Sequence, residues 1–97
     1  MSNTLRIGLA TVRNAPTIEE RLRDTERFVA EAALRAVAIV CFPEAYLPGL
    51  RGFDFPVPER DQRRQEAALT AIRDIARRHQ VAVIMGMEWE TEIGAHN

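Results

Sequence analysis

The chain contains no lysine, one serine (Ser2) and one cysteine (Cys41) among its 97 residues. Without a lysine, these residues cannot form a Schiff base or a phosphate-binding P-loop. A single cysteine excludes an internal disulfide and favours a reducing compartment. Cys41, His79 and His96 are too scattered in the sequence to predict a zinc site.

The chain also lacks an excess of charge of either sign and long apolar runs. It has 13 basic and 14 acidic residues, which leaves no surplus of positive charge for binding a phosphate backbone. No segment is long and apolar enough to cross a bilayer, and the start does not resemble a signal peptide. Neither GxGxxG nor GxxxxGK[ST] follows a strand. We therefore expect a cytoplasmic protein that needs no cofactor and binds neither nucleic acid nor membranes.

Three segments have the pattern of β-strands. Leu5 to Val12 begins with alternating apolar residues and predicts an opening strand. The apolar run 37–42 predicts a strand buried on both faces, which ends at Pro43 because proline has no N–H to donate. Residues 81–85 predict a third strand, and 86–92 extend it with polar alternation.

Two segments between these strands have helical periodicity. Thr17 and Glu20 form a capping box, which predicts a helix start. Apolar residues then recur at helical spacing, while the arginines, Arg21 among them, are assigned to the exposed face. A second helix is predicted from about Asp61 to His79.

The element order β-α-β-α-β predicts an α/β fold with parallel neighbouring strands, and residues 1–97 form one unit. In such sheets, functional groups lie just beyond the carboxyl ends of the strands. Glu44 follows the second strand there, where partial desolvation would suit its carboxylate to general-base chemistry. The alternative is a structural role, in which Glu44 caps a loop or pairs with an arginine such as Arg51.

Several motifs together resemble the N-terminal part of the nitrilase, or carbon-nitrogen hydrolase, superfamily. The motifs are the opening strand Arg6 to Ala10, the capped helix, Phe42-Pro43-Glu44 after a strand, Tyr46 to Gly49, and the strand Val83 to Glu88. Thr11 and Ala38 depart from the family pattern, which often has Gln and Asp at these places.

The resemblance implies an αββα sandwich, of which this β-α-β-α-β chain is a truncated start, and a Glu-Lys-Cys triad. Glu44 matches the family glutamate, whereas the family's lysine and nucleophilic cysteine are not among these residues. Cys41 lies inside an apolar strand and is expected to be structural. The resemblance implies a small amide or nitrile substrate, amide being favoured, and a chain that is inactive alone.

The resemblance also implies a substrate pocket near Glu44. Tyr46, Arg51 and Phe53 are the candidates for lining it, and the alternative is that the aromatic rings hold the loop on the core.

Two further expectations concern the surface of the sheet. If both helices cover one face, the other is bare, and Ile39 and Val83 should be buried against a partner copy in a homo-oligomer. The alternative to a hydrolase is a small flavodoxin-like binding module, in which the helices cover opposite faces.

Overall fold

The computed structural model describes residues 4–12, 15–49, 61–91 and 94–96. Strands and helices follow one another in an order that begins β-α-β-α-β, as the sequence predicts. Their bounds are β1 Ile7–Leu9, α1 Ile18–Leu34, β2 Ile39–Cys41, α2 Gln62–His79, β3 Ala82–Ile84, β4 Trp89–Thr91 and β5 Gly94–His96.

Both helices begin at a capping side chain, which confirms the predicted starts. Thr17 Oγ1 accepts a hydrogen bond from the Glu20 N–H at 3.1 Å. The Asp61 carboxylate accepts from the N–H groups of Arg63 and Arg64 at 3.0 and 3.3 Å. Each cap satisfies backbone donors that the first helical turn leaves unpaired.

Strands β1, β2 and β3 form a parallel sheet in that order, which confirms the predicted α/β class. Gly8, Val40 and Val83 lie side by side across the sheet, and Val40 is buried in one core cluster with residues of both helices. The helices also contact each other. They therefore cover the same face, and the flavodoxin-like alternative, with helices on opposite faces, is wrong.

The opposite face of the sheet is not covered by the described residues. Ile7, Leu9 and Ile84 are 55%, 79% and 59% exposed. Alternation along each strand places six residues on this side, which we call the open sheet face. Its residues are Ile7, Leu9, Ile39, Cys41, Ala82 and Ile84.

The expectation that Ile39 and Val83 share the bare face is therefore wrong. Ile39 pairs with Ala82, whereas Val83 pairs with Val40 and packs against the helices. A continuous apolar run does not show which of two alternating sets faces the helices, so the sequence left this choice open.

The ends of the predicted strands also differ from the structure. Strand β1 is shorter than Leu5 to Val12, although the Ala10 N–H still donates to the Cys41 carbonyl at 2.9 Å. The predicted extension of the third strand through 86–92 is wrong. Instead, Met87 pairs in parallel with Leu47, and β4 forms an antiparallel hairpin with β5.

Neither α1 nor α2 combines the length and apolar character that a membrane-crossing helix requires, and this holds for all the residues described.

Candidate active site

Glu44 lies in a tight turn at the carboxyl edge of the sheet. The Phe42 N–H makes the last bond to β3, donating to the Ile84 carbonyl at 2.9 Å, and the Tyr46 N–H then donates to the Pro43 carbonyl at 3.3 Å. We call residues 43–47 the Glu44 turn. Glu44 is exposed. The expectation of a partly desolvated carboxylate is therefore wrong, because the turn exposes Pro43 and Glu44 between Phe42 and Ala45, which are both buried.

Gly86 fixes the turn from the side of β3. A Cβ atom at this position would lie 2.2 Å from the Pro43 carbonyl oxygen, 2.7 Å from the Ala45 nitrogen and 2.9 Å from the Glu44 Cα. No other residue fits, since these three atoms belong to the backbone and cannot rotate away. The Gly86 carbonyl also accepts from the Leu47 N–H at 3.1 Å. The backbone at Gly86 is thus in direct contact with the backbone of the Glu44 turn.

Gln65 of α2 adds a side-chain link. Its Nε2 donates to the carbonyls of Leu47 at 2.9 Å and Glu88 at 2.7 Å. The residue is 5% exposed. Its Oε1 is buried and has no hydrogen-bond partner in the part of the chain that is described. An unpaired buried acceptor costs about 1–3 kcal/mol.

Sequence reasoning missed Gln65, although a signal was present. Gln65 is aligned with Ala68, Ile72 and Ile75 on the buried face of α2. A polar side chain in an apolar helical stripe indicates a buried group that needs a partner.

Arg21 holds the turn from the side of α1. It was predicted to be exposed, and this is wrong: the residue is buried. Its Nε donates to the Ala15 carbonyl at 2.8 Å and its guanidinium to the Tyr46 carbonyl at 2.9 Å. These acceptors lie outside α1, so helical periodicity alone could not identify them.

Tyr46 is also buried, and its ring packs 5.5 Å from Phe42, with the Arg21 guanidinium 5.0 Å above it. Burial, with a contribution from Asp24, raises the pKa of Tyr46 to about 12, and Arg21 partly offsets this. The Tyr46 ring belongs to the core, which agrees with the alternative that it packs there. A role of Tyr46 in lining a substrate pocket remains a prediction. Arg51 and Phe53, the other two pocket candidates, lie outside the described residues.

Cys41 is the last residue of β2 and is partly exposed on the open sheet face. Its place within a strand agrees with a structural role. No group of three or more His, Cys, Asp or Glu side chains in the described ranges is arranged to hold a metal ion.

The site thus presents one exposed carboxylate on a turn that two helices and a neighbouring strand hold in place. Such a group can accept or return a proton from a fixed position.

Comparison with known protein families gives a match for this chain. The family model described as carbon-nitrogen hydrolase matches residues 6–96, a range that includes the Glu44 turn, Gln65 and Gly86. Searches of curated proteins and of solved structures give no match. The match spans nearly the whole chain and confirms the resemblance seen in the sequence, so the chain belongs to the carbon-nitrogen hydrolase family.

Proposed function

We propose that Glu44 is the general base of a thiol-dependent hydrolysis of carbon-nitrogen bonds, with small amides as the preferred substrates over nitriles. The observation that carries this proposal is the position of Glu44. Its carboxylate follows the carboxyl end of β2, on a turn in backbone contact with Gly86, inside the region that matches the family. That edge is where parallel sheets bind and convert ligands.

In the proposed reaction, the Glu44 carboxylate takes the proton of a cysteine thiol. The thiolate attacks the amide carbon, the C–N bond breaks, and the protonated Glu44 returns the proton to the departing amine. Water then attacks the thioester carbon while Glu44 accepts its proton. The C–S bond breaks, the acid is released, and Glu44 returns the proton to the departing thiolate.

The remaining catalytic groups have to come from residues other than these 97. The chain has no lysine to stabilise developing negative charge, and its one thiol, Cys41, lies within β2. We therefore expect the chain alone to hydrolyse neither amides nor nitriles. Turnover by the purified chain that disappears in Cys41→Ala would contradict this.

Complementation tests the role of Glu44. Residues 1–97 are expressed together with a carbon-nitrogen hydrolase that lacks the region matching residues 6–96, and ammonia release from a short aliphatic amide and its nitrile is measured. We expect amide hydrolysis, and a kcat lower by about 10²- to 10⁴-fold in Glu44→Gln. Glu66→Gln, which changes an exposed carboxylate on α2, is the matched control. An active complex that Glu44→Gln leaves unchanged would refute the proposal.

A further inference from the structure

Gln65 has a feature that packing does not explain. It lies on the buried face of α2, where the neighbouring buried positions hold Ala68, Ile72 and Ile75. A methionine has nearly the same size and would fill the space without leaving Oε1 as a buried acceptor that has no partner among the described residues. The amide therefore contributes something that an apolar side chain would not.

The amide contributes two hydrogen bonds to backbone oxygens. Nε2 has two hydrogens, and they go to the carbonyls of Leu47 and Glu88. Because both neighbours are acceptors, nitrogen and not oxygen has to face them. One side chain thus joins the segment that leaves β2 to the segment that leaves β3.

These two segments already form a short ladder. The Leu47 N–H donates to the Gly86 carbonyl, and the Glu88 N–H donates to the Leu47 carbonyl at 3.0 Å. Gln65 attaches this ladder to α2, which has 18 residues and packs against α1. The ladder is thereby fixed to the helical layer and not only to its own backbone.

The Glu44 turn needs such support. Ala45, next to Glu44, has a φ of 47°, in the left-handed region that a residue with a Cβ atom adopts at a cost. The turn keeps this conformation only if its two ends are held. Pro43 is held by Phe42 and β3, and Leu47 by Gly86 and Gln65.

We propose that Gln65 is a positioning residue for Glu44. Its hydrogen bonds to the carbonyls of Leu47 and Glu88 fix the position of the Glu44 carboxylate. The inference rests on the proposed function, because the position of the Glu44 carboxylate matters for activity only if Glu44 is catalytic. Gln65 is buried behind the turn and acts on the carboxylate only through the backbone.

The test compares three variants of the 97-residue chain. Gln65→Met removes both donors and keeps the volume, and Gln65→Glu places before the two carbonyl oxygens a carboxyl group that can donate at most one hydrogen bond. Gln62→Glu is the matched control, because Gln62 uses its oxygen to accept from the Glu90 N–H at 2.9 Å, and glutamate retains that acceptor. The two glutamate variants make the same chemical substitution three residues apart on one helix.

Two measurements are made on each variant: hydrogen exchange at the Leu47 and Glu88 amides, and the carbon resonance of the Glu44 carboxylate. In both Gln65 variants we expect exchange at these amides to be about tenfold faster, and the Glu44 resonance to shift. Amides in the middle of α1, such as that of Val29, should exchange as in the wild type. Gln62→Glu should match the wild type throughout.

Two results would overturn the inference. One is an unchanged Glu44 resonance in both Gln65 variants. The other is general loss of protection in Gln65→Met, α1 included, because Gln65 would then support the core and not the turn. Neither measurement depends on turnover. If both results are as expected and the reconstituted complex is as active with Glu44→Gln as without it, the catalytic role of Glu44 is refuted, whereas the hydrogen bonds of Gln65 are still shown to hold the Glu44 turn.

Discussion

Gly86 shows how closely the candidate site depends on one residue. A methyl group there would meet three backbone atoms of the Glu44 turn within 2.2–2.9 Å, so the turn has to move. We expect Gly86→Ala to lower the free energy of unfolding by about 1–3 kcal/mol, measured by urea titration. Gly8→Ala is the control, since its nearest neighbour, 3.3 Å away, is a side-chain carbon of Val37 that can shift. Equal effects of the two substitutions would contradict this account.

Tyr46 makes stability depend on pH at the alkaline end. Burial, followed by Asp24, raises its pKa to about 12 in the folded chain, against about 10 when unfolded. The neutral phenol therefore stabilises the fold fully below pH ~10, and this contribution is lost as the pH rises towards 12. Tyr46 is the only tyrosine, so absorbance of the phenolate reports its titration directly. A midpoint near pH ~10 in the folded chain would refute the prediction, and Tyr46→Phe should remove this loss of stability.

At the scale of elements, patterns in the sequence predicted the features that depend on residues close together in the chain. Thr17 and Asp61 cap helices through bonds that span three residues or fewer. The position of Glu44 likewise followed from an apolar strand ended by Pro43. The exposure of Glu44 could not be predicted in this way, because it depends on the path of the Glu44 turn.

The contacts that fix the site join distant parts of the chain, and so local patterns could not predict them. Arg21 bonds to Tyr46, 25 residues away, and Gln65 bonds to Glu88, 23 residues away. Strand β3 ends at Ile84, and Gly86, two residues later, lies against the Glu44 turn; the alternation within 86–92 does not indicate that contact.

The end of α1 offers a test of backbone strain at this scale. Ala36 follows the helix with a φ of 56°, which glycine adopts without cost. We expect Ala36→Gly to stabilise the chain by about 0.5–1 kcal/mol in thermal unfolding. Ala30→Gly removes the same methyl group from the interior of α1 and should destabilise by about 1 kcal/mol. Effects of the same sign would show that the strain at Ala36 is not relieved by glycine.

At the scale of the whole molecule, the helices cover one side of the sheet and the described residues leave the other open. We propose that two copies of the chain cover this face for one another, since it carries no charge that would repel an identical face. Sedimentation velocity should then show a dimer or larger species. Leu9→Glu, in the open sheet face, should shift it towards monomer, whereas Leu34→Glu, exposed on α1, should not. A monomeric wild type at every concentration would refute this proposal.

The location of Cys41 has a practical consequence for such work. It is the only thiol in the chain, and it lies on the middle strand of the open sheet face. The rate at which Cys41 is alkylated therefore reports on this face. Alkylation is fast while the open sheet face is exposed and slow once another molecule covers it. A single chemical label, added without altering the sequence, can therefore follow how the sheet becomes shielded.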